Sequence, residues 1–244
     1  MLKKYPVRKT VTNFYSTFDD SRYKSWEHCF LFYENEIYKY IGSNIEEEML
    51  DHASLHLAFY LASWGMMRGS IFLLQSDYKV HKNLIKNVLL NEKYRPLWNF
   101  DFYNAQKKEV DNFLYLIFDK EQGIKNAIIN AYPCAKNSKG KSCKPSDTLI
   151  TKIIMGTLGC IPAYDRYFMD GISYAQKFSD GEIKFTQQLG AGSLETLIYF
   201  IKNNFEELCT INKTLDFEYP FMKLIDMYFW SIGFDEEKKK KTLN

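Results

Sequence analysis

The chain has 244 residues, 46% of them apolar, and 32 basic against 30 acidic side chains leave a formal net charge of +2. A chain of this length can bury about 70–75% of its unfolded surface, so its core needs neither a metal nor a disulfide. The small net charge gives no overall sign of a nucleic-acid binder, and the cysteines (Cys29, Cys134, Cys143, Cys160 and Cys209) are odd in number and without ligand spacing, which excludes a disulfide framework and reads as reduced thiols.

The amino terminus, Met1 to Pro6, carries positive charge with no apolar run behind it, so no signal peptide is expected. Ser43 to Glu46 has the spacing of a capping box and predicts a helix running to about Met67. Its expected buried stripe is Ile45, Met49, His52, His56, Tyr60 and Trp64. The weakly charged part, Ala53 to Met67, is shorter than the roughly 20 residues a membrane span requires, so it reads as a core helix with no membrane partner. Ser70 can cap a second helix that buries Ile71, Leu74, Tyr78, His81, Ile85 and Val88 and stops before Pro96. A third helix is predicted from Ala105 to Gln122, and Gly123 separates it from a short one ending near Tyr132.

The segment from Pro133 to Ser146 reads as a loop, with Lys136, Lys139, Lys141 and Lys144 and no acid. Asp147 can cap a helix over Thr148 to Leu158, and Asp165, after Pro162, can cap another to about Phe178. Asp180-Gly181 favours a turn and could hold a small β-hairpin over Ser179 to Thr186. Ser193 is expected to cap a helix through Cys209, and a last helix covers Glu218 to Ile232 before a solvated tail from Asp235. These elements predict an all-α, compact multi-helix unit over 1–244, with 1–132 and 133–244 as possible lobes, in a cytoplasmic monomer.

Four groups of residues can carry chemistry. Asp51, His52 and His56 share a helix face and could hold a divalent metal, although no His-Glu-x-x-His pattern is present. Arg68, beside Trp64 and flanked by glycines, has the look of a buried arginine that could bind a planar or anionic ligand. The lysines of the 133–146 loop, together with the helix start behind them, suit phosphate. The fourth group is the apolar helix from Thr148, the turn through Pro162 and the lone carboxylate of Asp165. An aspartate at a helix start is held as the anion and can steady a positive charge or direct a water.

This last stretch resembles the catalytic core of the helix-hairpin-helix DNA glycosylases. The matching parts are the basic loop Lys136 to Ser146, the helix Thr148 to Leu158 and the turn Pro162-Ala163-Tyr164-Asp165. The family's glycine-rich hairpin signature, its four-cysteine cluster and a well-placed nucleophilic lysine are absent. The resemblance therefore implies a monofunctional, water-using enzyme without a cofactor or metal. It would act on double-stranded DNA with a flipped, modified or damaged base, leave an abasic site, and could serve in antiviral defence. It implies Asp165 as the catalytic carboxylate. Trp64, Arg68 and Tyr164 are the expected base pocket, and Lys139, Lys141, Lys144, Ser146 and Lys152 the expected DNA-backbone contacts. The rival expectations are a metal-dependent hydrolase on Asp51, His52 and His56, and a non-enzymatic helical protein that binds nucleic acid or another partner.

Overall fold

Apolar periodicity becomes helix throughout the computed structural model, which describes residues 4–19, 21–68, 72–132, 144–178 and 184–242. Among the described residues no strand occurs, and no helix is long and apolar enough to cross a membrane. The expected hairpin near Asp180 and Ser70 as a cap lie outside the described residues.

The α-helices in chain order are α1 (Val7–Tyr15), α2 (Lys24–Phe32), α3 (Glu47–Ser63) and the single turn α4 (Lys82–Leu84). They continue with α5 (Lys107–Phe118), α6 (Ile124–Ala131), α7 (Asp147–Thr157) and α8 (Arg166–Gln176). The last are α9 (Ala191–Asn203), α10 (Phe205–Asn212) and α11 (Phe221–Thr242). They sort into two compact units: Met1–Asp19, Asp101–Val110 and Cys160–Asn244 form the first, and Asp20–Phe100 and Asp111–Gly159 the second.

In the first unit α11 is the central post, buried from Met222 to Gly233. A helix enclosed on all sides needs partners that can come close, and α8 does so through glycines. A Cβ on Gly171 would overlap the Phe229 carbonyl, and one on Gly233 the Tyr167 carbonyl. Around this crossing Phe168, Phe185 and Phe200 surround Phe229 at ring separations of 5.1 to 5.8 Å. Phe14 of α1 lies 5.0 Å from Trp230, and Tyr228 Oη donates to the Tyr5 carbonyl at 2.7 Å. The turn after α10 is closed by Asn212, which exchanges two hydrogen bonds with the Tyr219 backbone.

In the second unit α7 is buried from Leu149 to Thr157 and receives α2. Trp26 Nε1 donates to the Met155 carbonyl at 2.9 Å. Tyr33 Oη donates to the Ala53 carbonyl of α3 at 3.0 Å. These bonds spend the polar ends of two large rings on backbone acceptors, so the rings can be enclosed at little cost.

Several expected elements are corrected. The capping box does not form: Ser43 donates to the Tyr40 carbonyl, and α3 starts at Glu47 behind Glu46. Glu47 and Glu48 then lie in the first turn, where a helix favours negative charge. The buried face of α3 is Leu50, Ala53, Ser54, Leu57, Ala58, Tyr60 and Leu61, with His52 exposed. The continuous helix expected up to Pro96 is broken into short 3-10 turns, α4 and a π turn at Ile85–Leu89, with Leu74 exposed. Asp77 accepts from Lys79 N and Asn91 from Lys93 N, so side chains there satisfy local amides that a long helix would use. Ser146, not Asp147, caps α7. Ser193 lies inside α9 behind Gly190, and buried Asn204 separates α9 from α10. The tail from Asp235 is helical as part of α11, laced by Lys239–Glu236 and Lys241–Glu237 pairs.

Candidate functional site

Asp165 sits where the sequence places it, at the start of α8 in the first unit. Its Oδ1 accepts from Phe168 N at 3.1 Å, the bond of an N-cap, and its side chain is half-buried. The segment leading to it, Cys160 to Tyr164, is buried and non-helical. Pro162 suits such an extended lead, and Asp165 N donates to the Ala163 carbonyl at 2.7 Å to close a tight turn. Beside the carboxylate, Arg166 is 64% exposed and paired with Glu237 at 2.9 Å. Lys177 and Lys240 both lie over the Tyr174 ring of α8. The start of α8 thus carries the Asp165 carboxylate beside the Arg166–Glu237 pair, while Lys177 and Lys240 lie at the other end of the helix.

Tyr164 is 2% exposed, with its hydroxyl 2.6 Å from Ser193 Oγ and its ring 5.0 Å from Phe168. Burial pushes the phenol well above its usual range, and the Ser193 bond offsets part of that rise.

The other expected site residues that can be placed belong to the second unit. Lys139 and Lys141 lie outside the described residues, and Lys144 and Ser146 are exposed ahead of α7. Lys152 and Trp64 are brought together: the ammonium lies 5.0 Å from the indole centroid and 3.5 Å from the Trp64 carbonyl, at 2% exposure. Lys152 is therefore enclosed against the indole, away from the exposed lysines. Arg22 and Tyr23, which sequence reasoning missed, complete this cluster. The Arg22 guanidinium is 5.5 Å from the Trp64 ring, and the Tyr23 ring is 5.5 Å from it. Adjacent Arg and Tyr at a helix start were the available signal. Arg68 is corrected: it is exposed and folds back so that Nε donates to the Gly65 carbonyl at 3.4 Å.

The Asp51, His52 and His56 group has other partners. Asp51 accepts from Lys82 and from Tyr78 Oη, both at 2.8 Å, and these bonds hold its carboxyl below the usual range. His56 stacks on Phe32 at 3.9 Å; burial, then the charges of His28 and His52, lower its pKa. Among the described residues, no group of three or more His, Cys, Asp or Glu side chains is placed to hold a metal ion.

The chain matches no protein family, no curated protein and no solved structure. Its own geometry therefore carries the functional argument.

One buried group of the second unit titrates in an accessible range. His81 is fully enclosed, with Nδ1 2.7 Å from Tyr132 Oη, and burial pushes it down from 6.5 to about 4. The unfolded chain takes up this proton first, so stability falls as pH drops from about 6.5 through 4, by about 3 kcal/mol in all. Urea denaturation at pH 7 and pH 4 checks this. The wild type should lose about 3 kcal/mol more than His81→Gln, which cannot titrate. Equal losses would mean that folding leaves the proton uptake of His81 unchanged.

Proposed function

We propose that this chain is a monofunctional DNA glycosylase and that Asp165 is its catalytic carboxylate. One observation carries the reading: a half-buried aspartate stands at the start of a well-packed helix, at the end of a buried turn that fixes its backbone. Exposed Arg166 at its side supports a backbone-phosphate partner. The reading rests on the first unit alone.

In this reaction the target nucleotide is flipped out of the duplex at a cost of a few kcal/mol. The bond that breaks joins sugar C1′ to the base nitrogen, and the base leaves with the electron pair. Asp165 steadies the positive charge developing on the sugar and orients a water, whose oxygen bonds to C1′. The water's proton passes through the carboxylate to solvent or to the departing base. The products are a free base and an abasic site. An unusual base and a defence role against DNA with modified bases belong to the same proposal.

The test is abasic-site formation by the purified full chain. The substrates are duplexes with uracil, alkylated, oxidised, hydroxymethylated or glucosylated bases, and modified phage DNA, each followed by alkali. Alkali-labile breaks at one class of base are expected. Intact strands in every sample would overturn the reading.

A further inference from the structure

Two charged side chains lie inside the enclosed part of α11. Lys223 and Asp226 are 2% and 4% exposed, and Lys223 Nζ donates to Asp226 Oδ2 at 2.9 Å. Taking such ions out of water costs several kcal/mol each, and well-packed apolar residues often hold a core equally well. Stability is therefore a weak reason for the pair, and its second oxygen supplies a better one. Asp226 Oδ1 accepts from Ala163 N at 3.0 Å, a charge-assisted bond. The Ala163 carbonyl in turn accepts from Asp165 N at 2.7 Å. Ala163 is thus tied to the buried anchor through its amide and to Asp165 through its carbonyl.

We propose that Asp226, locked by Lys223, is a positioning residue for Asp165: it fixes Ala163, and through Ala163 the backbone from which the Asp165 carboxylate projects. This rests on Asp165 being the reacting group. A reacting carboxylate gains most when held in one geometry, since a displacement of about 1 Å can cost a hundredfold in rate. The helix cap at Phe168 N holds Asp165 from the carboxyl side of the chain, and the Asp226 anchor holds it from the amino side. α11 suits this task because its backbone closely approaches that of α8 at Gly171 and Gly233.

Two double variants avoid an unpaired buried charge. Lys223→Met with Asp226→Asn keeps an oxygen acceptor for Ala163 N; Lys223→Met with Asp226→Leu removes it. The readouts are base release by the full chain and the NMR chemical shifts of the Asp165 amide and carboxyl carbon. The leucine variant should release base at least about tenfold more slowly. Its Asp165 resonances should move away from their wild-type positions, while the asparagine variant stays near wild type in both readouts. Asp165 resonances unchanged in all three proteins would overturn the proposal. If wild type releases no base, the glycosylase reading fails, and the Asp165 resonances still decide whether Asp226 positions Asp165. Should the leucine variant not fold, hydrogen exchange in the wild type decides. An Ala163 amide exchanging as fast as an exposed one overturns the anchor, and strong protection sustains it.

Discussion

Asp165→Asn should lower base release by at least about a hundredfold while leaving stability within about 1 kcal/mol of wild type. The two effects separate because the proposed catalytic role adds a second job to the observed cap. As a cap it needs only an oxygen to accept from Phe168 N, and asparagine caps a helix about as well as aspartate. As a catalyst it needs the negative charge that asparagine lacks. Asp165→Ala removes both and should add a stability loss of about 1 kcal/mol. Single-turnover kinetics on the substrate found in the duplex panel, with thermal melts of each variant, checks both halves. Wild-type kinetics in the asparagine variant would reduce Asp165 to a plain cap and leave a non-enzymatic role for the α8 start. Binding to DNA through backbone phosphates would weaken steeply with salt under either reading, so it cannot stand in for the rate.

Gly171→Ala should lower the stability of the first unit by about 3 kcal/mol or more, a large part of the roughly 5–15 kcal/mol that holds a typical domain. The added methyl would meet the Phe229 carbonyl, and a methyl on Gly233 the Tyr167 carbonyl. Backbone oxygens cannot rotate aside, so relief requires α8 and α11 to separate. That separation would open voids among the rings around Phe229 and move the start of α8 along with Asp165. Gly192→Ala is the matched control: it lies in α9 with nothing within 4 Å of a new Cβ. There alanine's helix propensity should raise stability by up to about 1 kcal/mol. Urea denaturation of the three proteins reads the contrast. Equal midpoints for Gly171→Ala and Gly192→Ala would show that the crossing is not as tight as its geometry implies.

Parts of this protein are legible in the sequence because their causes are local. The all-helical class follows from apolar spacing, and Gly123 marks the start of α6 as expected. Asp165 is found as a cap because the carboxylate and the amide it accepts from are three residues apart. The same locality misleads where neighbours compete. Ser43 has the capping spacing, yet its hydroxyl bonds back to Tyr40 and the helix starts later. Between Phe72 and Leu97 the apolar residues keep helical spacing, but Asp77 and Asn91 satisfy nearby amides and break the run.

Other features depend on partners far along the chain. The lysine tail continues α11, and there Glu236 also meets Lys4 and Glu237 meets Arg166. Lys152 faces Trp64 across 88 residues, and no spacing rule pairs them. The Lys223–Asp226 pair shows the division most clearly. Its residues stand three apart on one helix, but no sequence signal marked them as buried. Nor does any spacing rule connect Asp226 Oδ1 with Ala163, 63 residues earlier. By itself the sequence determined the all-helical class and the cap at Asp165, because periodicity and capping act within a few residues. Only tertiary packing decided which face of each helix is buried and which buried charge anchors that cap, because burial depends on what the rest of the chain brings against it.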